Sequence, residues 1–331
     1  MVHSSKYLKL NICLLILLLV FFLWDLLLGA VTIEFSDVWN SLFNYDENNS
    51  EQLTVRVFRL PRVITAILAG IGLSIAGLLM QTLFQNPLAG PYVLGINAGA
   101  GLFVALSIMT GIGFFAHDLG LIGAALLGAL ASGMIILVSS LYVKTRISLL
   151  LIGIMFGSFV GALINVIQSY STPNDLKTFM LWSFGSLQQV DFDQLGIFSL
   201  TMLIGIVITL FLIKPLNLLV LGDKSANLMG VNLKTTRFLI ILVTAIFVGI
   251  ITAYCGPIAF IGLIVPNIVK TVYKTSDHLV LLLGTILVGG ILLLLCDITM
   301  QLLQDVVLLP LNALTALIGA PVVIWIIVKK Y

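Results

Sequence analysis

Two groups of residues in this chain have types and spacing that invite chemistry: three arginines at 56, 59 and 62, and a broken turn from Asn86 to Pro91. Arg56, Arg59 and Arg62 recur every third residue, so on a helix their guanidinium groups share a face. A guanidinium offers planar, forked donors that suit carboxylates on a docking partner. The competing reading is that all three side chains snorkel to lipid headgroups. At the far end of the apolar run that follows, Met80, Gln81, Gln85 and Asn86 precede Pro87-Leu88-Ala89-Gly90-Pro91. Pro87 removes a backbone donor and restricts Asn86, so a helix is expected to stop there. The freed backbone groups need partners that hydrocarbon lacks, which favours a gate in a protein-walled pathway over a plain turn.

Three further segments carry polar or small residues in a pattern. Gly153, Gly157 and Gly161 repeat every fourth residue, and Asn165 and Gln168 continue along roughly the same face. Small residues at that spacing let helices approach closely. The face either packs within the chain or borders a partner subunit and a central pathway, with the two amides lining it. Between about 215 and 236, Gly222-Asp223 and Gly230 bracket a short amphipathic stretch that predicts two brief helices around a glycine turn, a surface for something in the cytoplasm. Asp297, followed by Gln301, Gln304 and Asp305, is expected to reach the outer surface rather than to relay protons.

Enzymatic chemistry is not expected. There is no G-x-x-x-x-G-K-[ST] phosphate loop, no H-E-x-x-H and no G-x-S-x-G elbow, so no catalytic residue is assigned. His3, His117 and His278 are too scattered for a metal site, and Cys13, Cys255 and Cys296 read as small hydrophobes. No basic stripe with interleaved aromatics points to nucleic acid.

The elements that must position these residues are membrane helices. Of 331 residues, 60 % are hydrophobic and 9 % charged, where soluble domains have about 45–50 % and 25 %. Since roughly 20 apolar residues cross a bilayer, the chain reads as an all-α polytopic protein with ten spans, at about 10–31, 61–83, 93–112, 118–142, 148–169, 194–214, 236–254, 257–270, 279–297 and 310–328. The first is read as a retained helix, not a signal peptide. With both termini cytoplasmic, Lys6, Lys9, Lys144, Arg146, Lys214, Lys224, Lys234, Arg237, Lys270, Lys274, Lys329 and Lys330 lie inside. Only Arg56, Arg59, Arg62 and Lys177 remain outside. The outer loop 32–60 reads as solvated, and 1–331 as a single transmembrane domain.

These motifs together resemble the permease subunits of the FecCD family of ABC importers, which take up iron–siderophores, haem and cobalamin. The resemblance rests on Arg59-Leu60-Pro61-Arg62, on Gly77, Met80-Gln81 and Asn86-Pro87-Leu88-Ala89, and on Leu221-Gly222-Asp223, Ala226 and Met229-Gly230. It continues through Gly256-Pro257-Ile258-Ala259-Phe260-Ile261-Gly262 and Val265-Pro266 to Asp297, Pro310, Thr315-Ala316 and Gly319-Ala320-Pro321, in the family's order from about 56 to 325. It implies a type II ABC importer permease with ten helices per subunit, paired as a homodimer or with a related permease in the bacterial inner membrane. Two cytoplasmic ATPase chains would bind ATP and Mg, leaving no cofactor in this chain, and an extracytoplasmic binding protein would deliver cargo.

On that resemblance Arg59 and Arg62 are docking residues, extended here to Arg56, and Asn86, Leu88 and the segment from Thr145 to Ser148 belong to the inner gate. Gly222, Asp223, Ala226 and Gly230 mark the surface that receives the ATPase. An iron(III)–siderophore is the expected cargo on family breadth, with cobalamin and haem as alternatives and a secondary transporter as the distant one. The chain departs from the family at Asn267 and Lys270, at Gln301 where an arginine is frequent, and at Leu308 and Asn312. Gln301 would leave one docking contact unmade.

Overall fold

A computed structural model describes residues 2–29, 31–110, 118–143 and 145–330. All regular structure among them is helical: α1 (Val2–Leu27), α2 (Phe35–Phe43), α3 (Ser50–Thr54), α4 (Leu60–Phe84), α5 (Ile96–Thr110), α6 (Asp118–Tyr142), α7 (Arg146–Ser169), α8 (Pro173–Ser183), α9 (Phe192–Leu219), α10 (Asp223–Leu228), α11 (Leu233–Cys255), α12 (Ile261–Tyr273), α13 (His278–Leu303) and α14 (Leu311–Lys330). His117, Lys144 and the last two residues of the expected third span lie outside the described residues.

Among the described residues, seven helical runs are long and apolar enough to cross a membrane, while Ile96–Thr110, Ile261–Tyr273 and Leu311–Trp325 are apolar but shorter. Of the ten crossings expected, seven correspond to helices of spanning length, and at the other three places the helices are shorter than a full crossing. At about 1.5 Å per residue, the 13 residues of α12 rise only about 20 Å of the roughly 30 Å of hydrocarbon. Irregular backbone precedes two of the short helices: a 3-10 turn at Pro91–Leu94 before α5, and residues 256–260 before α12. Such backbone is tolerated at membrane depth only where protein surrounds it.

Two expectations about loops are corrected. The segment 32–60 is not a plain solvated loop, because it holds α2 and α3 and then a π turn, Val55–Arg59, that runs unbroken into α4. Asn49 starts this run by accepting from the backbone N–H groups of Glu51 and Gln52. Pro61 cannot donate to the helix ladder. Immediately before it the Leu60 N–H bonds the Val55 carbonyl, five residues back, so the local widening falls where the proline would break an ordinary α register. In 215–236, α9 continues through Pro215 to Leu219, and a single short helix, α10, replaces the expected pair. Gly222 and Gly230, at φ +96° and +89°, turn the chain at its two ends.

The core is organised around α4, buried against α9, α11, α12 and α13. Without a hydrophobic drive between helices in lipid, close backbone contact supplies much of the association. A methyl group at Gly77 would overlap the carbonyl of Gly262 on α12, and one at Gly70 the carbonyl of Gly289 on α13. Gly77→Ala is expected to lower the melting temperature of the purified protein in detergent by the equivalent of about 1–3 kcal/mol. Gly161→Ala, with nothing within 4 Å of the added carbon, is expected to leave it unchanged.

Candidate functional site

Both ends of α4 carry polar side chains fixed by neighbouring helices. At the arginine end, Arg59 closes the π turn and is 8 % exposed. Its Nη1 donates to the carbonyls of Leu26 and Leu27 at 2.9 and 3.1 Å, and its Nη2 to that of Val31. The guanidinium thereby caps the C-terminus of α1, where the helix dipole is negative. Arg62, one turn on, grips Asp297 of α13: Nε lies 2.8 Å from Oδ2 and Nη2 2.7 Å from Oδ1. Asp297 is wholly buried. A turn further along α13, Gln301 donates to Asp297 Oδ2 at 3.2 Å and to Asp25 of α1, which is also buried.

Three expectations change here for one reason: charge at membrane depth takes the nearest acceptor, because leaving it unpaired is costly. Arg59 and Arg62 turn their donors inward rather than to the surface, so neither is presented for docking in this conformation. Asp297 does not reach the surface. Gln301 is no vacated docking position but the bridge between two acids. Arg56 and Arg62 are both partly exposed, but Arg62 is held by Asp297, whereas the guanidinium of Arg56 lies 4.3 Å above the ring of Tyr45. Asp25 was passed over, although an acid inside an apolar span was itself the signal.

At the amide end, α4 stops as its sequence requires. Gln85 adopts a left-handed conformation, and Asn86 Oδ1 accepts from the Leu88 N–H at 2.9 Å, leaving Leu88 exposed. The turn is held from α12 by the two residues that depart from the family pattern. Asn267 Nδ2 donates to the carbonyls of Pro87 and Leu263, both at 2.8 Å, and Lys270 Nζ donates to Gln81 Oε1 at 2.9 Å. A second tie leads to α9: Gln85 Nε2 donates to the Leu219 carbonyl at 2.8 Å. Asn217 Oδ1 accepts from the His278 N–H at 2.8 Å, and His278 Nε2 lies 2.9 Å from Thr82 Oγ1. Thr145 and Ser148, expected beside this gate, form the N-cap of α7, Thr145 Oγ1 accepting from the Ser148 N–H at 3.1 Å.

Beyond Leu219 the chain enters α10. Asp223 bonds Arg237 of α11 at 2.8 Å and Ala226 is fully buried, so these two anchor the helix. The large apolar side chains exposed at its end are Leu228, 89 % exposed, and Met229. Leu228 was not singled out from the sequence, where an exposed leucine reads like any buried one, and Met229 entered only as part of the family motif.

On α7, Gly153 and Gly157 back onto Gly95, after the 3-10 turn, within this chain. Their face is intramolecular, while Gly161 stands open. Asn165 belongs to the outward side, with Ser158, Phe159 and Val166, and Gln168 is half-buried. The glycine stripe and the exposed stripe are neighbours on one helix rather than one face.

The FecCD transport family matches residues 17–329. A Yersinia pestis protein named as the hemin transport system permease protein HmuU is 36 % identical over 324 residues, which cover 96 % of this chain and 94 % of the relative. The vitamin B12 import system permease protein BtuC of Salmonella paratyphi A is 38 % identical over 283 residues, covering 84 % and 85 %. Among solved structures, a chain of a metal-chelate type ABC transporter in an inward-facing conformation superposes with a TM-score of 0.86 at 29 % identity, covering 97 % of this chain and 99 % of that one. PsaBC from Streptococcus pneumoniae, solved with a Fab, shares the fold alone, at a TM-score of 0.54 and 17 % identity over 90 % and 96 % of the two chains.

The arginine-end staple makes a measurable demand. Asp297→Asn leaves Arg62 charged, unpaired and largely covered, and is expected to destabilise the purified protein by about 3–5 kcal/mol. Adding Arg62→Gln is expected to recover most of the lost melting temperature. If the double variant melts no higher than the single one, the two groups do not act as a pair.

Proposed function

This chain belongs to the FecCD transport family and is a permease of the metal-chelate ABC importer type; we propose that it carries a large metal chelate inward, powered by ATP hydrolysed on separate subunits. The observation that carries the mechanism is the direct bonding between the segment leading to α10 and the gate end of α4. The relatives named for hemin and vitamin B12 support a tetrapyrrole chelate at least as well as the iron(III)–siderophore that family breadth favours.

The working assembly in this reading is two permease subunits, two ATPase chains that hold ATP and Mg, and an extracytoplasmic binding protein. It sits in the bacterial inner membrane with both termini of this chain in the cytoplasm. The ATPase seats on Leu228 and Met229 of α10, held in place by Gly222, Asp223, Ala226 and Gly230. Its closure displaces α10. The displacement passes through the Leu219 carbonyl to Gln85, and through Asn217 and His278 to Thr82. The end of α4 then moves Asn86 and Leu88, exchanging one set of contacts for another as a two-state gate requires. Thr145 and Ser148 border that gate from α7, and Asn165 and Gln168 line the pathway with the partner subunit. The binding protein docks on Arg56, with Arg59 behind it adding positive potential and Arg62 released to dock only if it leaves Asp297.

The test is uptake into proteoliposomes holding the permease, its ATPase and its binding protein, with haemin, cobalamin and a ferric siderophore as cargoes. ATP-dependent uptake of at least one chelate is expected. Uptake driven by a proton gradient without ATP would instead favour secondary transport. In the same system Leu228→Glu is expected to release the ATPase on gel filtration without changing the melting temperature of the permease. Arg56→Glu is expected to raise the binding-protein concentration needed for half-maximal uptake several-fold.

A further inference from the structure

A cavity of about 590 Å3 opens between the 3-10 turn, the end of α8, the segment before α12 and the start of α14. Its size falls within the roughly 300–1,000 Å3 of small-molecule sites. Three separate elements each bring one aromatic ring to its wall: Tyr92, Phe184 and Phe260. Among the described residues that line it, none carries a charge.

The wall is built rather than incidental. Phe260 is held at φ +66°, a conformation that residues other than glycine rarely adopt and that persists only where the surroundings enforce it. A methyl group at Gly319 of α14 would overlap its Cβ, so α14 leaves room for the ring. Asn312 ties the pieces together, its Oδ1 accepting from the Ala259 N–H at 3.2 Å and its own N–H donating to the Phe184 carbonyl at 3.0 Å. The Ser186 N–H reaches the Cys255 carbonyl at 2.8 Å. Asn97, another lining amide, has its oxygen bonded to Thr252 Oγ1. The surface left for an occupant is mainly apolar.

We propose that this cavity is a transit subsite for the flat, conjugated face of a macrocyclic chelate, which stacks against Tyr92, Phe184 and Phe260. The inference rests on the importer reading above and narrows its cargo. A chelate with anionic groups over its whole surface, such as a ferric tricatecholate, would be desolvated here with no counter-charge. A macrocycle whose charged groups sit at one edge can leave that edge in water. Stacking on three rings gives orientation and modest affinity, which suits a site the cargo must also leave.

The experiment titrates zinc protoporphyrin IX, followed by its own fluorescence, into the permease–ATPase complex in nanodiscs. Saturable binding is expected. Tyr92→Leu and Phe184→Leu preserve apolar volume but remove the ring, and each is expected to weaken binding about 3- to 10-fold. Tyr92→Phe and Phe184→Tyr are expected to bind as wild type, and a ferric tricatecholate is expected not to compete. Unchanged binding in both leucine variants, displacement of the porphyrin by oleate, or non-saturable partitioning would overturn the subsite. The uptake assay separates the two readings. If leucine variants bind as wild type while wild-type complex still takes up a chelate with ATP, only the subsite falls; if no chelate is taken up, the importer reading falls with it.

Discussion

The approach of α4 to α12 and α13, carbonyl against glycine, is the constraint on which the remaining structure depends. Gly77 meets Gly262, and Gly70 meets Gly289, at separations that admit no side chain. A helix pinned on two neighbours at two heights has little freedom to slide. Its two functional ends, near Arg62 and Asn86, consequently sit on one stiff rod. Motion that begins at α10 and reaches Gln85 is delivered to a rigid element, which lends itself to tilting rather than local melting.

The polar contacts then fix which helix faces which. Arg62 and Asp297 bind α4 to α13 at one end, and Asn267 and Lys270 bind it to α12 at the other. Buried ion pairs are weak sources of net stability, because desolvation offsets much of the attraction. Their value here is selection: a different rotation of α13 would leave a guanidinium and a carboxylate without partners. Asn267 and Lys270 illustrate the same economy. They differ from the family's common residues, yet they satisfy the Pro87 carbonyl and Gln81, needs created by the proline stop itself.

Much of the helix order was legible because its signals are local. Apolar length located the spans, Pro87 stopped α4, and Gly222 and Gly230 marked the turns around α10. Pairings between distant residues were not legible. Arg62 and Asp297 are 235 residues apart, and nothing in either neighbourhood specifies the other. The start of the α4 run was misplaced because Pro61 is as acceptable in a first turn as after a π turn. The glycine spacing on α7 left packing within the chain and contact with a partner both open, since it reports close approach but not what approaches. Arg59 and Arg62 were assigned to a partner, and Gln301 to a missing contact, for the same reason: donor chemistry is visible in a sequence, and the acceptor that claims it is not.

The link between Asp25 and Gln301 spans 276 residues, and that distance is also an interval of time. At about 5–20 residues per second, Asp25 leaves the ribosome roughly 15–55 s ahead of the amide that will hold it. Arg62, made sooner, still waits for Asp297. The nascent first helix therefore enters the membrane before the amide that will hold its acid has been made, with Arg59 arriving early at the end of α1 and α13 completing the contact late. Insertion of this chain is in that sense completed from the last third back to the first, and a ribosome stalled before residue 297 would leave Arg62 and Asp25 without the partners that α13 supplies.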